Sequence, residues 1–154
     1  SYLLSCGDQC AIVDPQRDID VYLQAAEDMG LNVTHILETH LHADFISGHI
    51  DLAAATGATI YAPKSAGCEF DHVPVSEGDT IQIGNMTLTV LETPGHTPEH
   101  ISYVVVDNVR GPEPAAVFCG DTLFVGDVGR PDLFTGQAAE LANKLYSSLH
   151  DKLL

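Results

Sequence analysis

Basic residues are scarce: six lysines and arginines stand against 22 acidic side chains, for a formal net charge of −16. Affinity for nucleic acid and for anionic membranes comes largely from Lys and Arg meeting phosphates, so this balance disfavours both kinds of partner. Long apolar runs are also missing, and the N-terminus has no basic stretch followed by an apolar block, so neither a membrane span nor a secretory signal is expected. The reading is a soluble, cytoplasmic protein. The four cysteines (Cys6, Cys10, Cys68, Cys119) form no pair of C-x-x-C knuckles, and a chain of 154 residues can bury a core without disulfide staples. They read as reduced thiols, with Cys119 packing as a small hydrophobe in "AAVFCGD". No repeat, low-complexity tract or long linker divides the chain, which reads as one domain over residues 1–154. No glycine pattern cradles phosphate; Gly7, Gly30, Gly57, Gly78 and Gly84 read as turns or caps. The chain opens without Met inside "SYLL" and stops inside a helical pattern, so it is expected to be incomplete at both ends.

What is present is a series of strand signals that dominate the middle of the chain, punctuated by helix signals. "YLLSCGDQCAIVDP" predicts a hairpin turning at Gly7-Asp8, and "DIDVYLQAAEDMG" predicts a helix with Asp18 near its N-cap and Gly30 past its end. Tyr22, Leu23 and Ala26 share a helix face and read as core rather than as a cofactor pocket. A strand "VTHILET", a helix over "GHIDLAAATG" and a strand "ATIYA" follow. Next come a hairpin "DTIQIGNMTLTVLET" turning at Gly84-Asn85, and then strands "HISYVVVD" and "AAVFCGD" around a Gly/Pro-rich turn. The last segment, "AAELANKLYSSLHDKLL", is helical in pattern. Such a mixture fits helices layered over sheet.

The chemistry concentrates at strand ends. In "THLHADFISGH" three histidines and an aspartate (His40, His42, Asp44, His49) fall within eleven residues. His96 lies in the loop "TPGHTPEH", and Asp121 ends the strand "AAVFCGD". Loops at strand ends can aim side chains into one cleft while the sheet fixes their spacing. A lone loop histidine is usually just solvated or hydrogen-bonded. Two His and one carboxylate on one face, however, leave three open positions, the arrangement of mononuclear non-haem iron sites. His40, His96 and Asp121 are the candidate ligands. His100, at the head of a strand, reads as structural; His35, His72 and His150 read as ordinary histidines, and His49 as part of the helix after the loop.

The H-x-H-x-D spacing with its following "SGH", then "TPGHTPEH", then "FCGDTLF", resembles the metallo-β-lactamase superfamily across nearly the whole chain. Within it, "ETHLHADFISGH", "TPGHTPEHISY" and "VGRPDLF" are most similar to the persulfide dioxygenases related to glyoxalase II, several of which are fused to rhodanese domains. The resemblance implies an α/β (α+β) αββα sandwich and one Fe(2+) per chain held by His40, His96 and Asp121, with Zn(2+) as the alternative. His42 and Asp44 would be the catalytic groups that orient ligands and water. Arg130 matches a family position near the substrate, where its planar fork would suit a glutathione carboxylate; pairing with Asp127 or Asp132 to hold a loop is the competing role.

Two-metal members of the superfamily read H-x-H-x-D-H. Here the sixth position is Phe45, which cannot coordinate a cation and so removes one leg of a second site. A tyrosine-proline-x-histidine-glycine stretch that supplies a late ligand in the family is also missing from this chain. The implied activity is oxidation of glutathione persulfide by O2 to sulfite and glutathione. The alternatives are a zinc-dependent hydroxyacylglutathione hydrolase of the glyoxalase II type, and a metal-binding module of a rhodanese-type fusion without turnover. A homodimer and a rhodanese domain in the parent protein are carried as open expectations.

Overall fold

The computed structural model describes residues 1–154. A first sheet of five strands has the order β1 (Tyr2–Cys6), β2 (Gln9–Val13), β3 (Asn32–Leu37), β4 (Thr59–Pro63), β5 (Val73–Val75). Its first pair is the expected hairpin, and from β2 to β5 the strands run parallel. Parallel neighbours need long crossovers, and α1 (Asp20–Met29) and α2 (His49–Thr56) lie in the first two of these. A second sheet is an antiparallel meander of β6 (Thr80–Ile83), β7 (Met86–Glu92), β8 (Ile101–Asp107) and β9 (Pro114–Phe118). A small hairpin of β10 (Leu123–Phe124) and β11 (Asp127–Val128) follows, and α3 (Ala138–Ser147) runs on as a wider helical turn over Ser148–Leu153.

Successive strand residues point to opposite faces, and β2 shows the result. Cys10 and Ile12 pack with Tyr22, Ala26 and Leu52 of the two helices, whereas Ala11 and Val13 pack with Leu88, Val90 and Tyr103 of the second sheet. These four of the five β2 residues are fully buried, as expected of a strand covered on both faces. The two apolar layers join helix to sheet and sheet to sheet, and α3 packs by Leu145 against Gly95 in the loop after β7. The αββα architecture expected from the motifs is the one found.

Asp18 lies next to the N-cap of α1, as expected: the helix starts at Asp20 behind Ile19, and Asp18 accepts the Asp20 N–H at 3.3 Å. One detail differs from the sequence reading. Strand β9 stops at Phe118, so Asp121 stands in the turn beyond it rather than at its last position. The short strand β5 and the β10–β11 hairpin carried too little periodic signal to be predicted. No helix is long and apolar enough to cross a membrane.

Leu88 is fully buried between the sheets. Leu88→Ala should cost about 2–5 kcal/mol of unfolding free energy through lost transfer energy and a residual cavity. Urea titration measures it; a loss below about 1 kcal/mol would contradict the two-sheet core.

Candidate metal centre

Three loops meet at the ends of the strands. His40 follows β3, His96 lies between β7 and β8, and Asp121 follows β9. Their ligand atoms lie within 4.8 Å of one another. Asp121 Oδ2 is 3.4 Å from His96 Nε2 and 4.0 Å from His40 Nε2. His40 is almost fully buried and its Nε2 has no hydrogen-bond partner, which is costly unless something occupies the space it faces.

The hydrogen bonds behind the rings decide which nitrogen faces that space. Thr39 Oγ1 donates its single proton to Asp14 Oδ2 at 2.8 Å, so at its 2.8 Å contact with His40 Nδ1 it must accept. His40 therefore carries its proton on Nδ1 and presents a bare Nε2. Burial, then the neighbouring His100, His42 and His96, lower its pKa to about 2, so the ring is neutral. His96 is oriented by another route, donating from Nδ1 to the Arg130 carbonyl at 3.1 Å, so that its Nε2 faces Asp121. Two imidazoles with inward-facing Nε2 atoms and one carboxylate fit a divalent cation of borderline softness, such as iron or zinc.

Asp121 is held from behind by His100. The Asp121 N–H donates to His100 Nε2 at 3.1 Å, so His100 Nδ1 carries the proton and faces the hydroxyls of Thr93 and Thr122. Burial first, then His96 and His42, lower the His100 pKa to about 3. Glycine is required nearby: a methyl on Gly129 would run into the Asp121 carbonyl oxygen, and one on Gly120 would sit 2.5 Å from Thr39 Oγ1.

The other expected residues divide. His42 turns away from the three donors, its Nε2 lying 3.3 Å from Asp14 Oδ1 and 3.5 Å from Glu38 Oε2. Burial alone would lower its pKa, but the two carboxylates outweigh that and raise it to about 9. Glu38 is ionised in spite of its burial, held below the ordinary carboxylate range by His42, His49 and Ser47. Asp44 lines a cavity of about 380 Å³ together with His96, Asp121 and Arg130. The Arg130 side chain is exposed and pairs with Asp132 through Nε at 2.7 Å and Nη2 at 3.1 Å, so of the two structural partners considered the structure selects Asp132. Phe45 stacks on His42 with centroids 4.2 Å apart.

His49 begins α2, with Nδ1 3.4 Å from Glu38, and takes no part in the three-donor cluster. All four cysteines are free; Cys119 lies just past β9 and its thiol contacts the Leu123 carbonyl at 3.4 Å. Asp14, Thr39 and Glu38 were not singled out from the sequence. Asp14 could have been, since it closes the apolar strand "CAIVD" as Asp121 follows "AAVFCG".

Comparisons with known proteins bear on the fold and the family. The family model of the metallo-beta-lactamase superfamily matches residues 1–154, and the chain belongs to that superfamily. A hydroxyacylglutathione hydrolase of Rhodospirillum rubrum is 40% identical over 148 residues, covering 94% of this chain and 54% of the relative. A metallo-beta-lactamase structure from Staphylococcus aureus superposes with TM-score 0.89 at 40% identity, over 97% of this chain and 47% of the other. ETHE1 from Myxococcus xanthus gives TM-score 0.85 at 35% identity, over 99% and 63%. The chain spans about half the length of the curated relatives it matches.

Thr39→Val keeps the shape of the side chain but leaves His40 Nδ1 and Asp14 Oδ2 without their shared hydroxyl. Metal affinity should fall about 10–100-fold. Competition with a chromophoric chelator reads this, and an unchanged affinity would show that Thr39 does not orient His40.

Proposed function

We propose that this chain forms the catalytic core of a metal-dependent enzyme acting on a glutathione-linked substrate, with one divalent ion held by His40, His96 and Asp121. The observation that carries the single-ion reading is the placement of Phe45 and His42. The benzyl ring occupies the position where two-metal members carry a histidine, and the imidazole beneath it is committed to Asp14 and Glu38. Two nitrogen donors are thereby withdrawn from the neighbourhood of Asp44. On that basis the reaction proposed is the oxidation of glutathione persulfide by O2, in which the outer sulfur takes both oxygens of O2 and a third from water to leave as sulfite while glutathione and two protons are released, the activity of the group whose motifs the chain resembles.

Ferrous iron, when bound, would supply open coordination positions at which both reactants meet, removing the entropy of their encounter. The chain's own residues do the rest. Asp14, through Thr39, keeps the His40 lone pair inward, and the Arg130 carbonyl does so for His96. Asp44 faces the cavity beside Asp121, where it can accept a hydrogen bond from substrate or water. Arg130 is the cation on the cavity wall, and a glutathione carboxylate would compete with Asp132 for its planar fork.

A second reading is zinc-dependent hydrolysis of a hydroxyacylglutathione. By the names of the curated relatives it is the better supported of the two, since proteins called hydroxyacylglutathione hydrolase are 34–40% identical to this chain. The ETHE1 structure supports the dioxygenase side.

Two measurements separate the readings. Anaerobic iron loading followed by elemental analysis should give close to one ion per chain; two tightly held ions would favour the hydrolase. Supplied with glutathione persulfide, the iron-loaded protein should consume O2 and release sulfite, and His96→Ala should abolish both. Thioester hydrolysis without O2 uptake would overturn the dioxygenase proposal.

A further inference from the structure

Three hydrogen bonds tie the His40 loop to the segment that follows His96, and two of them come from residues of β8. The Ile101 N–H donates to the Thr39 carbonyl at 2.8 Å, and the Tyr103 hydroxyl donates to the Glu38 carbonyl at 2.9 Å. The third is different in kind. The Leu41 N–H, between His40 and His42, donates to Glu99 Oε1 at 3.0 Å, and Glu99 stands three residues after His96. One carboxylate thus reaches from the His96 loop to the peptide that separates the two histidines of the other loop.

Glu99 is buried, with 9% of its surface exposed, and it forms no ion pair with any Lys, Arg or His. A carboxylate is expensive to bury unless its oxygens are satisfied. The Leu41 N–H is its one hydrogen-bonding partner in the protein. Neither a salt bridge nor apolar packing accounts for a Glu at this position. A strap between loops does, because the peptide N–H of Leu41 is an obligatory donor, and only an acceptor on a long side chain reaches it from the opposite loop.

We infer that Glu99 is a positioning residue: by holding the Leu41 peptide it sets the distance between His40 and His96 and so tunes how tightly the cluster binds its ion. This rests on the proposal that His40, His96 and Asp121 are the ligands. Glu99 touches neither substrate nor the reacting atoms, and its effect passes through the backbone of residues 40–42.

The test uses Co2+ as a spectroscopic probe, titrated into the metal-free protein and into Glu99→Gln, Glu99→Asp and Glu99→Ala. Glutamine keeps an oxygen acceptor at the same reach, so Glu99→Gln should bind Co2+ within a few-fold of wild type. Aspartate keeps the charge but is one methylene short, so Glu99→Asp should weaken binding about tenfold or more, as loss of a supporting group around a metal does, and Glu99→Ala equally. Both weakened variants should lose hydrogen-exchange protection at the Leu41 amide, while the metal-free melting temperatures stay close to one another. Glu99→Asp makes the decisive comparison if Glu99→Ala fails to fold. Retained affinity in Glu99→Asp, or a Glu99→Gln as weak as Glu99→Asp, would overturn the inference, because charge rather than reach would then be what matters. His96→Ala serves as the reference. If it binds Co2+ as tightly as wild type, the assignment of the ligands fails, whatever the Glu99 variants do.

Discussion

An imidazole coordinates a cation only through a nitrogen that carries no proton, and a neutral ring has one of each kind. Which nitrogen is bare is decided behind the ring. For His40 the decision passes from the Asp14 carboxylate to the Thr39 hydroxyl to Nδ1, and for His96 it rests with the Arg130 carbonyl. Asp14 pays for this with a left-handed backbone, φ 48°, uncommon for a residue with a side chain. Such strain persists only when the surroundings over-determine it, and Asp14 has three partners: the Thr39 N–H at 2.7 Å, the Thr39 hydroxyl and His42. The strand β2, buried on both faces, supplies the rigidity that lets the residue just beyond it hold that shape.

The same dependence explains how much of the site was legible in the sequence. His40, His96 and Asp121 could be singled out as candidates, and the structure brings them together, because strand ends aim side chains and because nitrogen and carboxylate donors in that set have a chemical meaning. The residues that orient them were harder to see. Thr39 is one hydroxyl among many, and its role depends on where its proton goes, which only the distance to Asp14 reveals. His100 was read as structural, and it is, yet what it supports is the backbone of Asp121. For the fold, hairpins and long strands were legible from alternation and turn residues. Strand β5 was not, since three residues flanked by loops carry no period. The start of α1 was legible because Asp18 is a good capping residue, although the chain enters the helix one position later, through Ile19, without any side-chain cap.

His42 shows a different limit. Its spacing from His40 invites a place among the ligands or beside them, and the ring centroids are indeed 4.2 Å apart. Yet Asp14 and Glu38 draw its Nε2 into a buried cluster of two carboxylates, where the imidazolium balances charge that would otherwise be uncompensated. Neither carboxylate belongs to the motif, so the motif alone could not show which way the ring faces. The acidic excess of the whole chain is thus repeated in miniature beneath the site.

Fold and reaction are separable in this superfamily, because the sandwich positions strand ends while the side chains placed there decide the chemistry. Similarity along the chain therefore reports mainly on the sandwich. Residues that build the sandwich contribute to identity whether the reaction is hydrolysis or oxidation, so relatives' names weigh heavily on the fold and lightly on the reaction. The positions that bear on the reaction are those able to add or withhold a donor next to Asp44. Phe45 is the clearest of them: its ring lies on a His42 already engaged on its other side by Asp14 and Glu38. A second cation there would have to displace an aromatic contact and break a buried ion pair, and only the acidic side chains around Asp44 and Asp121 would remain to hold it. A single ion flanked by open positions asks less of the residues present than a bridged pair does, and it is the arrangement that redox chemistry at one iron requires.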